Sequence, residues 1–196
     1  MKQWLEKHFG KFWMAAVFLF LYLPLMFMIV FSFNSTRQDA NFTGFSLRWY
    51  EALMRDTKLV EGFFLSLQVA AITGVLSAVL GTFAAFVLVR YRRFSGRTFF
   101  SGMVNAPLVM PEVVIGLSLL LLMVGAQNAF GWPERGILTI VLGHTLLGMS
   151  YGMVVIQSRL MEMNRSIEEA AMDLGAKPYQ VFFLITLPNI FQAILA

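Results

Sequence analysis

Long apolar runs alternate with short polar ones along the chain. Residues 12–33 form an almost unbroken apolar run, long enough as a helix to cross a hydrocarbon core of ~30 Å at ~1.5 Å per residue. Residues 62–89, 98–124 and 137–157 repeat the pattern. Each run predicts a membrane-spanning helix. Residues 1–11 are then a short basic arm, and 34–61, 90–97 and 125–136 are connecting loops. A cleaved signal peptide is the rival reading of the first run. Its length, Pro24 and the lack of a small-x-small cleavage site favour an uncleaved span. Pro107 and Pro111 interrupt the third run. Ala70, Gly74, Ala78, Gly81 and Ala85 lay a stripe of small residues along the second, and Gly148 and Gly152 suggest equally close packing on the fourth.

The polar stretches carry patterns of their own. Leu47 to Met54 predicts a short helix behind Ser46, with Trp49 and Tyr50 as amphipathic interface anchors; contact with a carbohydrate is the alternative. The stretch 158–187 predicts more. Ser166 followed by Glu169 has the spacing of a capping box. Glu168 and Glu169 fall in the first turn, where the helix dipole favours negative charge. Ile167, Ala170, Ala171 and Leu174 make one apolar face. Gly175 stands where a left-handed C-terminal cap is wanted. Lys177-Pro178 starts a second short helix, which Pro188 closes. Residues 188–196 read as the first turns of a fifth span that the chain cuts short. On composition alone, the whole stretch also fits a solvated loop between spans.

Composition narrows the class. The chain is 58% hydrophobic and 13% charged, against roughly 25% charged in soluble domains, which makes it an integral membrane protein. With no cysteine and 2 histidines, a disulfide scaffold or a thiolate metal site is excluded. No nucleophile–base pair supports an intramembrane enzyme. The net charge of +4 raises nucleic acid as a partner until the charges are placed by side. Lys2, Lys7, Lys11, Arg90, Arg92, Arg93, Arg97, Arg159, Arg165 and Lys177 fall on one side; Arg37, Arg48, Arg55, Lys58 and Arg135 fall on the other. That is ten of the 15 basic residues against five. The bias predicts a cytoplasmic N-terminus, puts residues 158–187 in the cytoplasm and leaves no nucleic-acid role. Glu112 is the acid that falls inside a predicted span. It either faces a path, a cavity or a partner, or sits near the outer boundary, where it is solvated or simply paired. His144 is either a proton relay or a hydrogen-bonded structural residue, and Gln68 either lines a path or bonds another helix.

Glu169-Ala170-Ala171, Gly175, Ile185, Leu187 and Pro188 together resemble the cytoplasmic signature loop of bacterial ABC-importer permeases. The runs Asn105 to Leu120 and Ser158 to Gly175, with Ser32-Phe-Asn-Ser35 and Arg48-Trp-Tyr50, resemble its polyamine branch, the putrescine permeases first and the spermidine/putrescine permeases next. The resemblance implies an all-α membrane protein with a type I (MetI-like) helical bundle, here cut short after four spans plus the coupling helix. It implies a non-catalytic permease of the bacterial inner membrane. Its partners would be a cytoplasmic ATPase dimer that holds the Mg-ATP, a second permease subunit, a periplasmic polyamine-binding protein and membrane lipid. Glu169, Ala170, Ala171, Asp173 and Gly175 would couple to the ATPase, with Glu112 as a candidate on the substrate path. No phosphate-binding Gly-x-x-x-x-Gly-Lys-[Ser/Thr] occurs in the chain, so no cofactor is expected on it. Ferric-iron and sulfate permeases share the implied fold, and a transporter driven by an ion gradient is the alternative of another class.

Overall fold

A computed structural model describes residues 2–36, 41–91 and 93–195, and the side chains from residue 9 onward within them. Of the basic residues weighed for sidedness, Arg37 and Arg92 and the side chains of Lys2 and Lys7 lie outside the described set. The elements are α1 (Lys2–Phe31), α2 (Arg48–Arg55), α3 (Thr57–Arg90), α4 (Arg97–Val109), α5 (Glu112–Phe130), α6 (Ile137–Glu162), α7 (Arg165–Asp173), α8 (Pro178–Val181), a π-turn (Phe182–Thr186) and α9 (Leu187–Leu195). Among the described residues, 5 segments are long and apolar enough to cross a membrane: Phe9–Phe31, Thr57–Arg90, Glu112–Phe130, Ile137–Glu162 and Pro178–Leu195. The chain divides into two compact units, residues 1–64 and 65–196.

In the first unit, α1 buries none of its apolar window (0%), the pattern of a helix whose surroundings are themselves apolar. Behind it the chain folds around Asn34, which is 2% exposed. Its Oδ1 accepts from the Thr43 amide (2.9 Å) and hydroxyl (2.8 Å), and its Nδ2 donates to the Asn41 carbonyl (3.0 Å). The Trp49 indole donates to the Asn34 carbonyl (2.9 Å), the Tyr50 hydroxyl bonds Ser32 (2.7 Å), and the Phe33 ring stacks on both Phe45 and Tyr50. The polar tips of both expected anchors are thus used to fasten this loop. Asp56 then caps α3, its Oδ1 accepting from the amides of Lys58 and Leu59.

The second unit is organised around α3 and α6. Gly81 of α3 lies against the α6 backbone: a β-carbon there would sit 3.0 Å from Met153 N and 3.1 Å from Met149 O. In return, a β-carbon on Gly148 would overlap the Ser77 hydroxyl and lie 3.0 Å from Ser77 Cβ. The predicted stripe is the packing face only from Ser77 onward; Ala70 and Gly74 are exposed. The core gathers near the C-terminal end of α3, where Ala84, Ala85 and Leu88 meet Val104 of α4, Met153, Ile156 and Leu160 of α6, and Ile190 of α9. The buried Ser150 hydroxyl ties α6 to α4 by donating to the Val104 carbonyl (2.7 Å).

The two prolines of the third apolar run act differently. Pro111 holds Met110 extended (φ −80°, ψ 141°), as a proline does to its predecessor, and the run becomes two helices, α4 and α5. Pro107 stays buried inside α4. Pro188 requires a correction, because it does not close the second short helix. In the π-turn before it, the Leu187 amide bonds the Phe182 carbonyl five residues back. The wider turn makes room for the proline ring that would clash in an α-helix. The helical run therefore continues from Pro178 to Leu195.

Candidate functional site

Helix α7 is built by its two ends. Asn164 caps the start, its Oδ1 accepting from the Ser166 amide at 3.0 Å. This corrects the expected capping box: Ser166 is already inside the first turn. Glu169 pairs with Arg165 at 3.1 Å on the exposed surface rather than reaching back to a cap, an interaction of at most ~1 kcal/mol. At the other end Gly175 adopts φ +91°. Its amide bonds the Met172 carbonyl (2.9 Å) and the Ala176 amide bonds the Ala171 carbonyl (3.0 Å). That pair of bonds is a complete Schellman cap, and its left-handed residue favours glycine.

The orientation of α7 is inverted relative to an ordinary surface helix. Its apolar face points away from this chain: Ile167 is 50% exposed, Leu174 is 90% exposed, and Ala170 is exposed. Glu169 and Asp173 are exposed beside them. The side turned inward carries a carboxylate, Glu168, which is buried (6%).

Glu168 has two partners. Arg90 Nη2, in the last turn of α3, donates to Glu168 Oε1 at 2.8 Å, with both side chains nearly buried (11% and 8%). The Thr186 hydroxyl, in the π-turn and 1% exposed, donates to the same oxygen at 2.6 Å. Phe182, the first residue of the π-turn, packs on Phe83 and Phe86 of α3. The sequence pattern singles out Glu169 and does not join Arg90, Glu168 and Thr186 as a set. The available signal is modest: Arg90 ends an apolar run.

A second feature lies between α5 and α6. Glu112, at the start of α5, lines a cavity of 290 Å³ together with Arg135, Thr139, His144 and apolar residues of both helices. The His144 ring, through Nδ1, bonds the Ile140 carbonyl of its own helix at 2.9 Å, which leaves its other edge available to the cavity.

Comparison with known proteins decides the class. Residues 77–196 match the family model for the binding-protein-dependent transport system inner membrane component. The chain belongs to this family. The putrescine transport system permease protein PotI of Escherichia coli K12 is 52% identical to the chain over 180 residues, which cover 91% of this chain and 64% of that protein. The chain thus spans somewhat less than two thirds of the length of that relative. The spermidine/putrescine transport system permease protein PotC of the same organism is 34% identical over 185 residues, 93% of this chain and 67% of PotC. A bacterial ABC transporter involved in the import of the acidic polysaccharide alginate has a solved chain that superposes with a TM-score of 0.70, covering 99% of this chain and 73% of that one. At 13% identity that likeness establishes a shared fold. The chain therefore belongs to a multi-pass membrane protein whose described residues form a helical bundle of the MetI-like type.

Proposed function

We propose that this chain is the permease subunit of an ATP-driven polyamine importer of a bacterial inner membrane, with putrescine, and after it spermidine, as cargo. The observation that carries the reading is the inverted orientation of α7. A helix that buries a carboxylate and turns Ile167, Ala170 and Leu174 outward presents an apolar patch for a partner. In this reading the partner is a cytoplasmic ATPase dimer that holds the Mg-ATP. Ala170 and Ala171 let it approach closely, Glu169 and Asp173 offer it polar contacts, and Gly175 supplies the turn. The N-terminus is cytoplasmic, a second permease subunit completes the path, and a periplasmic polyamine-binding protein delivers the cargo. Alternating access follows as ATP-driven closure pulls on α7. Glu112 serves as a way-station, because a carboxylate lining the α5–α6 cavity suits a cationic cargo.

Uptake of labelled putrescine and spermidine, in cells lacking the gene and complemented with it, tests this directly. Uptake is expected only with the ATPase present, with putrescine preferred and reduced severalfold in Glu112→Gln. Uptake that persists without any ATPase would move an ion-gradient transporter to first place. A second expectation concerns Gly175→Val. The positive φ there costs a side chain about 1–2 kcal/mol, too little to prevent insertion but enough to move α7. Hydrolysis by the assembled complex should continue while uptake falls at least about tenfold; normal uptake would remove Gly175 from the coupling set.

A further inference from the structure

The inward face of α7 carries an interaction that docking alone does not need. One carboxylate oxygen of Glu168 is shared by Arg90 on α3 and Thr186 in the π-turn. The three residues lie on separate elements, far apart in the chain, and are nearly or fully buried. The π-turn is what makes the third contact possible. One extra residue in the turn rotates the helix after it by about 100° relative to a regular α-helix. That rotation places the Thr186 hydroxyl 2.6 Å from Glu168 and leaves the Val181 carbonyl as a second, weaker acceptor at 3.5 Å.

We propose that Thr186 is a positioning residue for coupling: its bond to Glu168 makes the helix from Pro178 to Leu195 follow α7, while Arg90 makes α3 follow it. The proposal rests on α7 being the element that an ATPase moves. The aromatic contact of Phe182 on Phe83 and Phe86 already holds the π-turn on α3 by apolar packing. Such packing can slide between neighbouring arrangements. A charge-assisted hydrogen bond is directional and weakens steeply with misalignment, so it transmits a displacement of α7 without slip. A partner that shifts α7 then shifts two membrane helices at once.

Thr186→Val keeps the shape of the side chain and removes the donor. Arg90 remains to hold Glu168, so the fold is retained. The complete transporter is reconstituted in liposomes, and putrescine accumulated is measured per ATP hydrolysed. Thr186→Val should leave complex assembly and hydrolysis within about twofold and lower uptake per ATP by about tenfold, the worth of one hydrogen bond to a charged group. Thr186→Ser, which keeps the donor, should restore the ratio. A purely structural role would reduce the amount of folded complex and leave uptake per ATP unchanged. That result, or a Thr186→Ser variant as uncoupled as Thr186→Val, overturns the proposal. Wild-type uptake that needs no ATP would instead take away the reading beneath it, and the control lane shows which has failed.

Discussion

Gly81→Leu should leave almost no folded protein in the membrane. A β-carbon at position 81 already lies 3.0 Å from Met153 N and 3.1 Å from Met149 O. Both neighbours are backbone atoms in the middle of α6, where neither a rotamer change nor a local shift relieves the contact. A leucine must separate α3 from α6, and the core of Ala84, Ala85, Leu88, Met153 and Ile156 opens with them. Overpacking costs typically ~1–3 kcal/mol where side chains can yield. Here the cost should exceed that and consume much of a total stability on the order of 5–15 kcal/mol. Gly148 provides the internal control, since its neighbour is the Ser77 side chain. Gly148→Ala alone should destabilise, and adding Ser77→Gly should restore most of the loss. Thermal unfolding of the detergent-solubilised protein reads both results. A Gly81→Leu protein that melts at the wild-type temperature would mean that α3 and α6 do not meet face to face.

The same residues show what the sequence can and cannot say about the fold. Apolar runs long enough to span a bilayer are legible because lipid demands them of every spanning helix. A stripe of small residues is also legible, but the part of it that packs is not. Ala70 and Gly74 obey the spacing as well as Gly81 does, and remain exposed. Only the meeting of two helices distinguishes them. The prolines are ambiguous for a related reason. Pro111 breaks the chain and Pro188 does not, because a π-turn five residues wide precedes the latter, and no local propensity announces a π-turn.

At the candidate site, the position of α7 and its closing turn were legible. Gly175 has a local job, a left-handed cap, and local jobs leave local patterns. The start of the helix was misplaced by two residues because serine and asparagine cap equally well, and the Ser166–Glu169 spacing imitates a capping box. The roles of the two adjacent glutamates were harder. Glu168 and Glu169 differ by one helical step, about 100°, so one is buried against α3 while the other is exposed beside Arg165. Which is which depends on the direction from which the helix is approached. Ordinary amphipathic logic turns Ile167 and Leu174 inward, and this helix does the opposite. In the proposed function, the ATPase that docks on this face accounts for the inversion.

Removing Glu168 tests that inverted face by its energetics. Glu168→Ala leaves the Arg90 guanidinium nearly buried without the carboxylate it pairs with; among the described residues its Nε already lacks a hydrogen-bond partner. Breaking a buried pair from one side costs about 3–5 kcal/mol, because the remaining charge is uncompensated. The variant should therefore extract poorly from membranes and unfold at a markedly lower temperature. Replacing both charges, with Arg90→Met and Glu168→Leu, should return stability to within about 1 kcal/mol of the wild type, since apolar residues of similar volume often replace a buried pair at little cost. The double variant also removes the acceptor for Thr186, so it should be stable yet poorly coupled. A cycle built from the two single variants and the double reports an interaction energy free of the separate truncation costs. A near-zero value would show the pair to be solvated, and the Thr186 bond to Glu168 would then be the polar contact that ties α7 to the π-turn. A large value, with coupling lost in the stable double variant, would mean that the pair serves transmission more than folding.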